Sequence, residues 1–250
     1  MGIFIKNDEQ IEKIRAACKI VAQTHELLEK HVAPGVTTGE LDKIAEEFIR
    51  SQGAQPSFLG YRGFPASICA SINDEVIHGI PGLRRLKSGD IISIDIGVCL
   101  NKFHGDAART HPVGEVAPEH QQLIDVTRQS FFDAMQYARH GRHLHEMSAA
   151  VEAYVTRFGY SVVREWCGHG IGLSMHEDPQ IPHYKVPSRG PRLEKGMTLC
   201  LEPMINMGRP DTNILSDNWT VVTKDGKFSA HYENTVLITA GEPELLTVCI

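Results

Sequence analysis

The sequence predicts an α+β fold in which helices pack outside a curved antiparallel sheet. A pair of helical segments followed by a run of strands occurs twice along the chain. The second half also repeats the first at a nearly constant offset, since residues 86–95 align with residues 193–202 in their leading leucine, turn glycine and final acid. We therefore expect a duplicated unit, with halves of about residues 1–115 and 116–250 arranged about a pseudo-twofold axis.

The helices are predicted from apolar residues at helical intervals and from capping residues. Thr37 and Glu40 form a capping box that opens one helix, whereas Pro34 follows the end of the helix before it. The predicted helices cover residues 8 to about 32, 37 to about 51, 118–139 and 144–158, and strands are expected in most of 55–115 and 160–248.

The first strand pair carries two aspartates. Residues 91–100 alternate as a strand, with isoleucines and a valine on one face and Asp95 on the other. The chain then turns near residues 100–102 and returns over residues 103–108. A hairpin centred on that turn predicts that Asp95 lies directly opposite Asp106, with Cβ atoms about 4.5–5.5 Å apart. Like charges that close require a cation between them; the alternative is two solvated carboxylates on an open sheet face.

Four carboxylates and one histidine lie in such short apolar runs. Acidic side chains are rarely buried unless they are paired or bound to a metal, and four together would repel one another strongly. His169 lies between two glycines, which let backbone and ligand approach closely. Two divalent cations would balance the four acids almost charge for charge, as in hydrolytic two-metal sites. The predicted metal ligands are Asp95, Asp106, His169, Glu202 and Glu233.

Composition excludes several classes of protein. A chain of 250 residues with 42% hydrophobic content can bury a sizeable core. The net charge of −6, without a run of lysine and arginine, argues against a DNA-binding surface. No apolar run approaches the ~20 residues that a membrane span needs, and the N-terminus does not resemble a signal peptide. The six cysteines lack C-x-x-C spacing and indicate the reduced thiols of a cytoplasmic protein. We also expect a monomer without membrane contact.

Other catalytic motifs are incomplete. His176-Glu177 lacks the second histidine of the H-E-x-x-H zinc motif. The segment 172–176, centred on Ser174, is one residue short of the G-x-S-x-G nucleophile motif, which leaves a serine hydrolase as an open alternative. His78 and His176 are instead predicted to be proton donors or substrate contacts, and His143 and His145 to be solvated at a helix start.

Several motifs carry a resemblance to a known family. They are NDEVIHGIP at 73–81, CGHGIG at 167–172, HEDP at 176–179, LEPM at 201–204 and AHYE at 230–233. With the aspartate pair, they make the chain resemble the bacterial, type I methionine aminopeptidases of the M24 metallopeptidases over essentially all 250 residues. The resemblance implies the pita-bread fold and one catalytic domain, residues 1–250.

The resemblance also implies roles for the predicted site residues. In that family the residue matching Asp95 chelates one metal, those matching Asp106 and Glu233 bridge two metals, and those matching His169 and Glu202 bind the other. His78 then lies near the scissile amide and His176 stabilises the tetrahedral intermediate, while Glu202 is our candidate general base. The two divalent ions would be Co, Mn, Fe or Zn, all of which suit oxygen and nitrogen ligands.

A substrate pocket follows from the same resemblance. Its methionine-binding residues correspond to Phe58, Tyr61, Phe64, Cys69, Met175 and Trp219, beside His78 and His176. The chain departs from the family pattern at Phe58, Gly97, Met175 and Cys200, where Cys, Thr, Phe and Thr are common. A monovalent cation is further implied near Asn73, Glu75 and Ser229.

The implied activity is removal of the N-terminal methionine from nascent polypeptides whose second residue is small. The chain itself begins Met1-Gly2 and is therefore a substrate by that rule. A transient ribosome contact is left open. The alternative within the fold is a binding protein that has lost catalysis, although such relatives typically lose ligands that this chain retains.

Overall fold

The structure, a computed structural model, describes residues 2–249, so the prediction made for Met1 lies outside the described residues. Both predicted helix pairs are present. The N-cap of the first helix is Asn7, which exchanges capping-box hydrogen bonds with Gln10, and Thr37 does the same with Glu40 in the second, as predicted. The helices are α1 (Asp8–Glu29), α2 (Thr38–Ser51), α3 (Pro118–Met135) and α4 (Leu144–Val155), with short 3₁₀ turns at Tyr61–Gly63 and Thr156–Phe158.

Three helices end a few residues before the sequence predicted. After α1, the backbone amides of His31 and Val32 both return to the carbonyl of Leu28 and close a turn instead of extending the helix. Pro34 follows shortly afterwards and disfavours helical backbone in the residue before it. Apolar periodicity continues through such turns, because the residues after a helix can still face the core.

The strands form four antiparallel sheets among residues 2–249. Their orders are β1-β4-β2 with β5 on β4, then β13-β10-β6, β11-β12-β3 and β15-β14-β9-β7-β8. The strands are β1 (Gln55–Pro56), β2 (Cys69–Ile72), β3 (Glu75–Ile77), β4 (Ile91–Leu100), β5 (Phe103–Pro112), β6 (Ser161–Val162), β7 (Gly168–Gly170), β8 (Glu177–Ile181), β9 (Thr198–Leu201), β10 (Met204–Asn206), β11 (Thr212–Ile214), β12 (Val221–Thr223), β13 (Ser229–His231), β14 (Asn234–Leu237) and β15 (Glu244–Leu245).

The duplication is visible in matching hydrogen bonds. An isolated bridge joins Thr37 to Arg85 in the first half, and the equivalent bridge joins His143 to Arg192 in the second. Each arginine also donates to the carbonyl of a glycine that precedes the helix, at 2.6 Å and 2.9 Å respectively. His143 is thus the N-cap of α4 and contacts the carbonyl of Gly190, so the prediction that it is simply solvated was wrong.

Each helix pair covers the strands of its own half. The buried core of the first half joins α1 and α2 to β2 and β4, and that of the second joins α3 and α4 to β9, β10 and β14. Ile92, Ile94 and Ile96 of β4 point into the core of the first half, as their alternation predicted, and leave the opposite face for polar side chains. No helix within residues 2–249 is long and apolar enough to cross a membrane.

Candidate metal centre and substrate cavity

The two aspartates lie on the same face of the β4–β5 hairpin but are not opposite each other. Asp95 pairs with Ala108, and Asp106 pairs with Gly97. The predicted direct opposition was therefore wrong, because the turn is Asn101-Lys102, slightly further along the chain than expected. Both turn residues have positive φ, 50° and 70°, the conformation of a tight type I′ hairpin.

This register shift of two residues preserves the face. The aspartates are diagonal neighbours, and both line the same cavity. Diagonal cross-strand pairs are still within reach of one another's side chains. The essential part of the hairpin prediction, two carboxylates converging on one point, is confirmed.

The second half supplies the remaining predicted ligands to the same point. His169 on β7 pairs with Cys200 on β9, and its Nε2 lies 3.5 Å from Oε1 of Glu202, which follows β9. Donor atoms of Asp106, His169, Glu233 and Cys200 all lie within 4.8 Å of one another. The five predicted residues are thus brought together; that they bind metal stays a prediction.

Cys200 was singled out only as a departure from the family pattern. Its residue type gave no signal that its thiol would lie among the donors. Its position in β9 does give a signal, because alternation along β9 places residues 198 and 200 on the same face as residue 202, which follows the strand.

Burial and mutual repulsion make the acids resist ionisation. Burial raises the pKa of Asp95 to about 7. Burial, then the neighbouring Glu233 and Asp95, raise the pKa of Asp106 well above its usual value. The pKa values of Glu202 and Glu233 are likewise raised, first by burial and then by neighbouring carboxylates. Such a cluster of buried acids is stabilised either by protonation of its carboxylates or by bound cations.

The donor set fits divalent cations. One oxygen each of Asp95, Asp106 and Glu233 is buried without a hydrogen-bond partner within the described chain. Unpaired buried oxygens are costly, and a cation is the group that satisfies several at once. Burial, followed by His176, lowers the pKa of His169 to about 3, which keeps its imidazole neutral as a metal ligand requires.

Residues that the sequence analysis missed hold these ligands in place. The Arg109 guanidinium donates to the carbonyl of Glu233 and to the side chain of Asn234. The Thr235 hydroxyl donates to the carbonyl of Asp106 at 2.9 Å and accepts from its amide at 3.1 Å. The Glu202 amide donates to His183 at 3.0 Å. Nothing local in the sequence marks these contacts, because even the two nearest partners, His183 and Glu202, are 19 positions apart along the chain.

A cavity of about 760 Å³ opens above the ligands. Tyr61 stacks on His176, with its hydroxyl 3.0 Å from Nδ1. Trp219 packs edge-on against Phe64 and His78 at ring distances of 5.1 Å and 6.2 Å. Burial is the main cause that lowers the pKa of both His78 and His176 to about 4, so both are neutral near pH 7.

The cavity wall contains every residue predicted for the metal and substrate sites. The predicted members are Phe58, Tyr61, Phe64, Cys69, His78, Asp95, Asp106, His169, Met175, His176, Glu202, Trp219 and Glu233. The wall also includes residues that were not predicted, among them Arg62, Glu165 and Glu177. Arg62 and Glu165 lie in no motif that separates them from ordinary surface charges, whereas Glu177 lies in the HEDP motif but was given no role.

Ser174 lies on an exposed turn. Its amide donates to Glu177, but no hydrogen bond joins its hydroxyl to a histidine within the described part of the chain. A nucleophilic serine requires such a base, so the geometry does not support the serine hydrolase alternative. The predicted monovalent site has one supporting contact, the 2.8 Å hydrogen bond from the Ser229 amide to the Asn73 carbonyl, and stays a prediction.

Comparison with known proteins agrees with this site. Residues 12–240 match the model of metallopeptidase family M24, and the chain therefore belongs to that family. It is 54% identical over 248 residues to a protein named methionine aminopeptidase in Clostridium acetobutylicum, with 99% of both chains covered. It is 53% identical over 245 residues to methionine aminopeptidase 1 of Bacillus subtilis, covering 98% and 99%.

Solved structures show the same relationship. The crystal structure of methionine aminopeptidase from Thermotoga maritima matches with a TM-score of 0.97 at 38% identity, covering 99% of this chain and 100% of that one. The predicted family and the predicted fold class are therefore confirmed.

Proposed function

We propose that this chain is a metal-dependent aminopeptidase, a hydrolase that removes methionine from the N-terminus of polypeptides. The observation that carries the proposal is the position of the ligand cluster. The five candidate ligands lie at the wall of the same cavity as the apolar residues predicted to receive the methionine side chain. Full-length similarity to proteins named methionine aminopeptidase supports it.

We infer that the five residues would hold two divalent ions, with Asp106 and Glu233 available as ligands to both. Their donor atoms converge with His169 within 4.8 Å, and Asp95 and Glu202 line the same cavity. Such ions would supply Lewis acidity and a water of lowered pKa. Co, Mn, Fe and Zn all suit these donors.

The side chains of the cavity would bind and orient the substrate. Phe58, Phe64, Met175 and Trp219 form an apolar and aromatic lining, which suits a thioether. Since the histidines are neutral, each offers one N–H; His78 would donate to the scissile amide, and His176 to the developing oxyanion. Both histidines line the same cavity as this apolar cluster.

Glu202 is the proposed general base. Its carboxylate contacts His169 at 3.5 Å and lies 3.8 Å from Nε2 of His231, so it is fixed beside the ligand cluster. There it can take a proton from the attacking water and deliver it to the leaving amine. The free α-amino group of the substrate would bind at the ligand cluster. Only the first peptide bond would then lie within reach of the attacking water.

Activity and metal content, measured on the same sample, test this proposal. The protein is purified without added metal, its metal content is determined, and methionine release from a Met-Ala-Ser peptide is followed. We expect release that is abolished by a chelator, restored by a divalent ion and unaffected by serine-reactive phosphonates. A protein that binds metal but releases no methionine would instead be a binding protein that has lost catalysis.

Further features of the proposal concern the cellular setting. We propose action in the cytoplasm, as a monomer, on the N-terminal methionine of nascent chains. A transient contact with the ribosome fits a substrate that emerges during synthesis. Sedimentation of the purified protein with and without ribosomes tests both the monomer and the contact.

A further inference from the structure

A buried ion pair joins the N-terminal segment to the edge of the cavity. Nζ of Lys6 lies 2.7 Å from Oε2 of Glu177, the first residue of β8, and the two side chains are only 5% and 6% exposed. Nζ also donates to the carbonyl of Phe4 at 3.2 Å. The Lys6 amide donates to the carbonyl of Gly196 at 2.9 Å, which attaches the N-terminal segment to the turn before β9.

Glu177 uses its second oxygen to hold the turn that precedes it. Oε1 accepts the amide of Ser174 at 3.1 Å. At the start of the turn, the Gly172 amide donates to the Ser174 carbonyl, and the Gly172 carbonyl accepts the amide of His104 at 2.9 Å. The turn, residues 172–177, is therefore attached at both ends.

The lysine lies so close to this turn that a side chain at position 172 would require Lys6 and Glu177 to shift. A Cβ on Gly172 would lie 2.7 Å from Cε of Lys6 and 2.8 Å from Oε1 of Glu177. Real Cβ atoms essentially never show contacts that short. Lys6, Gly172 and Glu177 thus form one packed unit.

The turn carries two residues of the cavity. Met175 is buried in the apolar cluster with Phe58 and Phe64. His176 lies with its ring 4.2 Å from that of His169 and is the proposed oxyanion donor. Any shift of the turn would move the side chains of Met175 and His176 together.

Stability alone does not explain this ion pair. Replacing a buried pair by apolar residues of similar volume is often neutral or stabilising, so the pair is weak evidence for stability, and a role in local geometry is the hypothesis to test. We propose that Lys6 is a positioning residue for catalysis, acting through Glu177 and the 172–177 turn to hold His176 and Met175 in place. This inference rests on the proposed function.

The first test compares two lysine variants. Lys6→Met removes the buried charge, and Lys13→Met is the matched control, because Lys13 also lies 2.7 Å from a glutamate, Glu9, but in an exposed pair on α1. We expect Lys6→Met to lower kcat for Met-Ala-Ser by roughly ten- to a hundredfold, as a displacement of about 1 Å can. Metal content should stay at the wild-type value, and Lys13→Met should match wild type in kcat.

Epistasis with His176 separates positioning from general damage. Because Lys6 is proposed to act through His176 as well as Met175, adding Lys6→Met to His176→Ala should lower kcat by a much smaller factor than Lys6→Met does in the wild type. Independent, multiplicative losses would overturn the inference. A purely structural role would lower the unfolding temperature and the amount of active enzyme without this dependence on His176.

Rescue gives a further readout. Glu177→Gln keeps an oxygen for the Ser174 amide, so Lys6→Met/Glu177→Gln should recover kcat relative to Lys6→Met, whose Glu177 charge is buried and unpaired. If Lys6→Met does not fold, Glu177→Gln alone provides the test, and unchanged kcat in that variant would overturn the inference.

The two proposals fail in different ways. An inactive, metal-loaded wild type overturns the proposed function and this inference together. An active wild type whose Lys6→Met variant behaves like Lys13→Met overturns only the inference.

Discussion

The ring of Phe58 occupies the space in which a side chain at position 97 would lie. A Cβ on Gly97 would be 2.8 Å from Cε1 of Phe58 and 2.9 Å from Cβ of Ser57. Gly97 is also the residue directly opposite Asp106. The two departures from the family pattern, Phe58 for Cys and Gly97 for Thr, therefore depend on each other, since the large ring requires the missing side chain.

Gly97→Thr should consequently displace Phe58 into the cavity. We expect a destabilisation of about 1–3 kcal/mol, the usual cost of overpacking, together with a raised KM for Met-Ala-Ser. Adding Phe58→Cys should recover part of the loss, though not all, because Cβ of Ser57 still has to move. Thermal unfolding and steady-state kinetics of the single and double variants measure the coupling, and simple additivity would contradict it.

Asp106→Ala should abolish activity even at saturating metal. The carboxylate is 3% exposed and lies among donors from both halves of the chain, so its loss removes the ligand proposed to hold both ions. Metal analysis should show that less than the wild-type amount is retained. Asp133→Ala, at a partly exposed position of α3 away from the cavity wall, serves as the control and should remain active. Near-normal turnover by Asp106→Ala would rule out the two-metal proposal.

His176→Ala should separate catalysis from metal binding. Because His176 is assigned to the oxyanion, its removal should lower kcat by about 10²–10³-fold, the usual cost of one such donor. Metal content should be unchanged. If the variant instead lost a whole equivalent of metal, His176 would be a ligand.

The metal-free protein should lose stability as pH rises above about 6.5. The pKa of Asp95 is raised to about 7 by burial, so the folded state holds a proton that the unfolded state has released. Stability from such a group is present at low pH and is lost as pH rises through the folded pKa. The buried histidines have lowered pKa values and act with the opposite sign, but only below about pH 6.5.

Thermal unfolding at several pH values checks this expectation. The unfolding temperature of chelated protein should fall from pH 6.5 to pH 8, with a smaller fall in Asp95→Asn and almost none after addition of a divalent ion. This pH range lies at or above the usual histidine pKa of about 6.5, so the histidines should contribute little to the change. A stability that rises over this window without metal would contradict the assigned protonation of the cluster.

Local patterns predicted the fold well, and long-range contacts account for what they missed. Thr37 and Glu40 predict the start of a helix, because a capping box is complete within four residues. The register of Asp95 and Asp106 failed because it depends on which residues form the turn, although period-two alternation still placed both on the correct face. The contact between Lys6 and Glu177 joins distant segments, and no local pattern encodes it.

The candidate site was predictable for a different reason. Buried acids are unusual enough to stand out singly, and the motifs around them identified the family. Cys200 and His183 did not stand out, because a cysteine or a histidine in an apolar run is ordinarily a core residue. Only the pairing of β7 with β9 shows that Cys200 lies beside His169.

The last prediction concerns the second residue of the substrate. The methionine side chain would fill the apolar pocket, so the next residue must lie between the ligand cluster and the ring pair of Tyr61 and His176, whose centroids are 5.4 Å apart. Crowding there should favour Gly, Ala and Ser and disfavour Lys, Leu or Phe.

The chain itself begins Met1-Gly2, so we expect untagged, metal-loaded protein to start at Gly2 by intact mass. Met-Gly-Ile-Phe and Met-Lys-Ile-Phe, incubated side by side and read by mass spectrometry, provide the direct comparison. Release of methionine from the first peptide alone is the expected outcome, whereas comparable release from both would show that the cavity does not screen the second position.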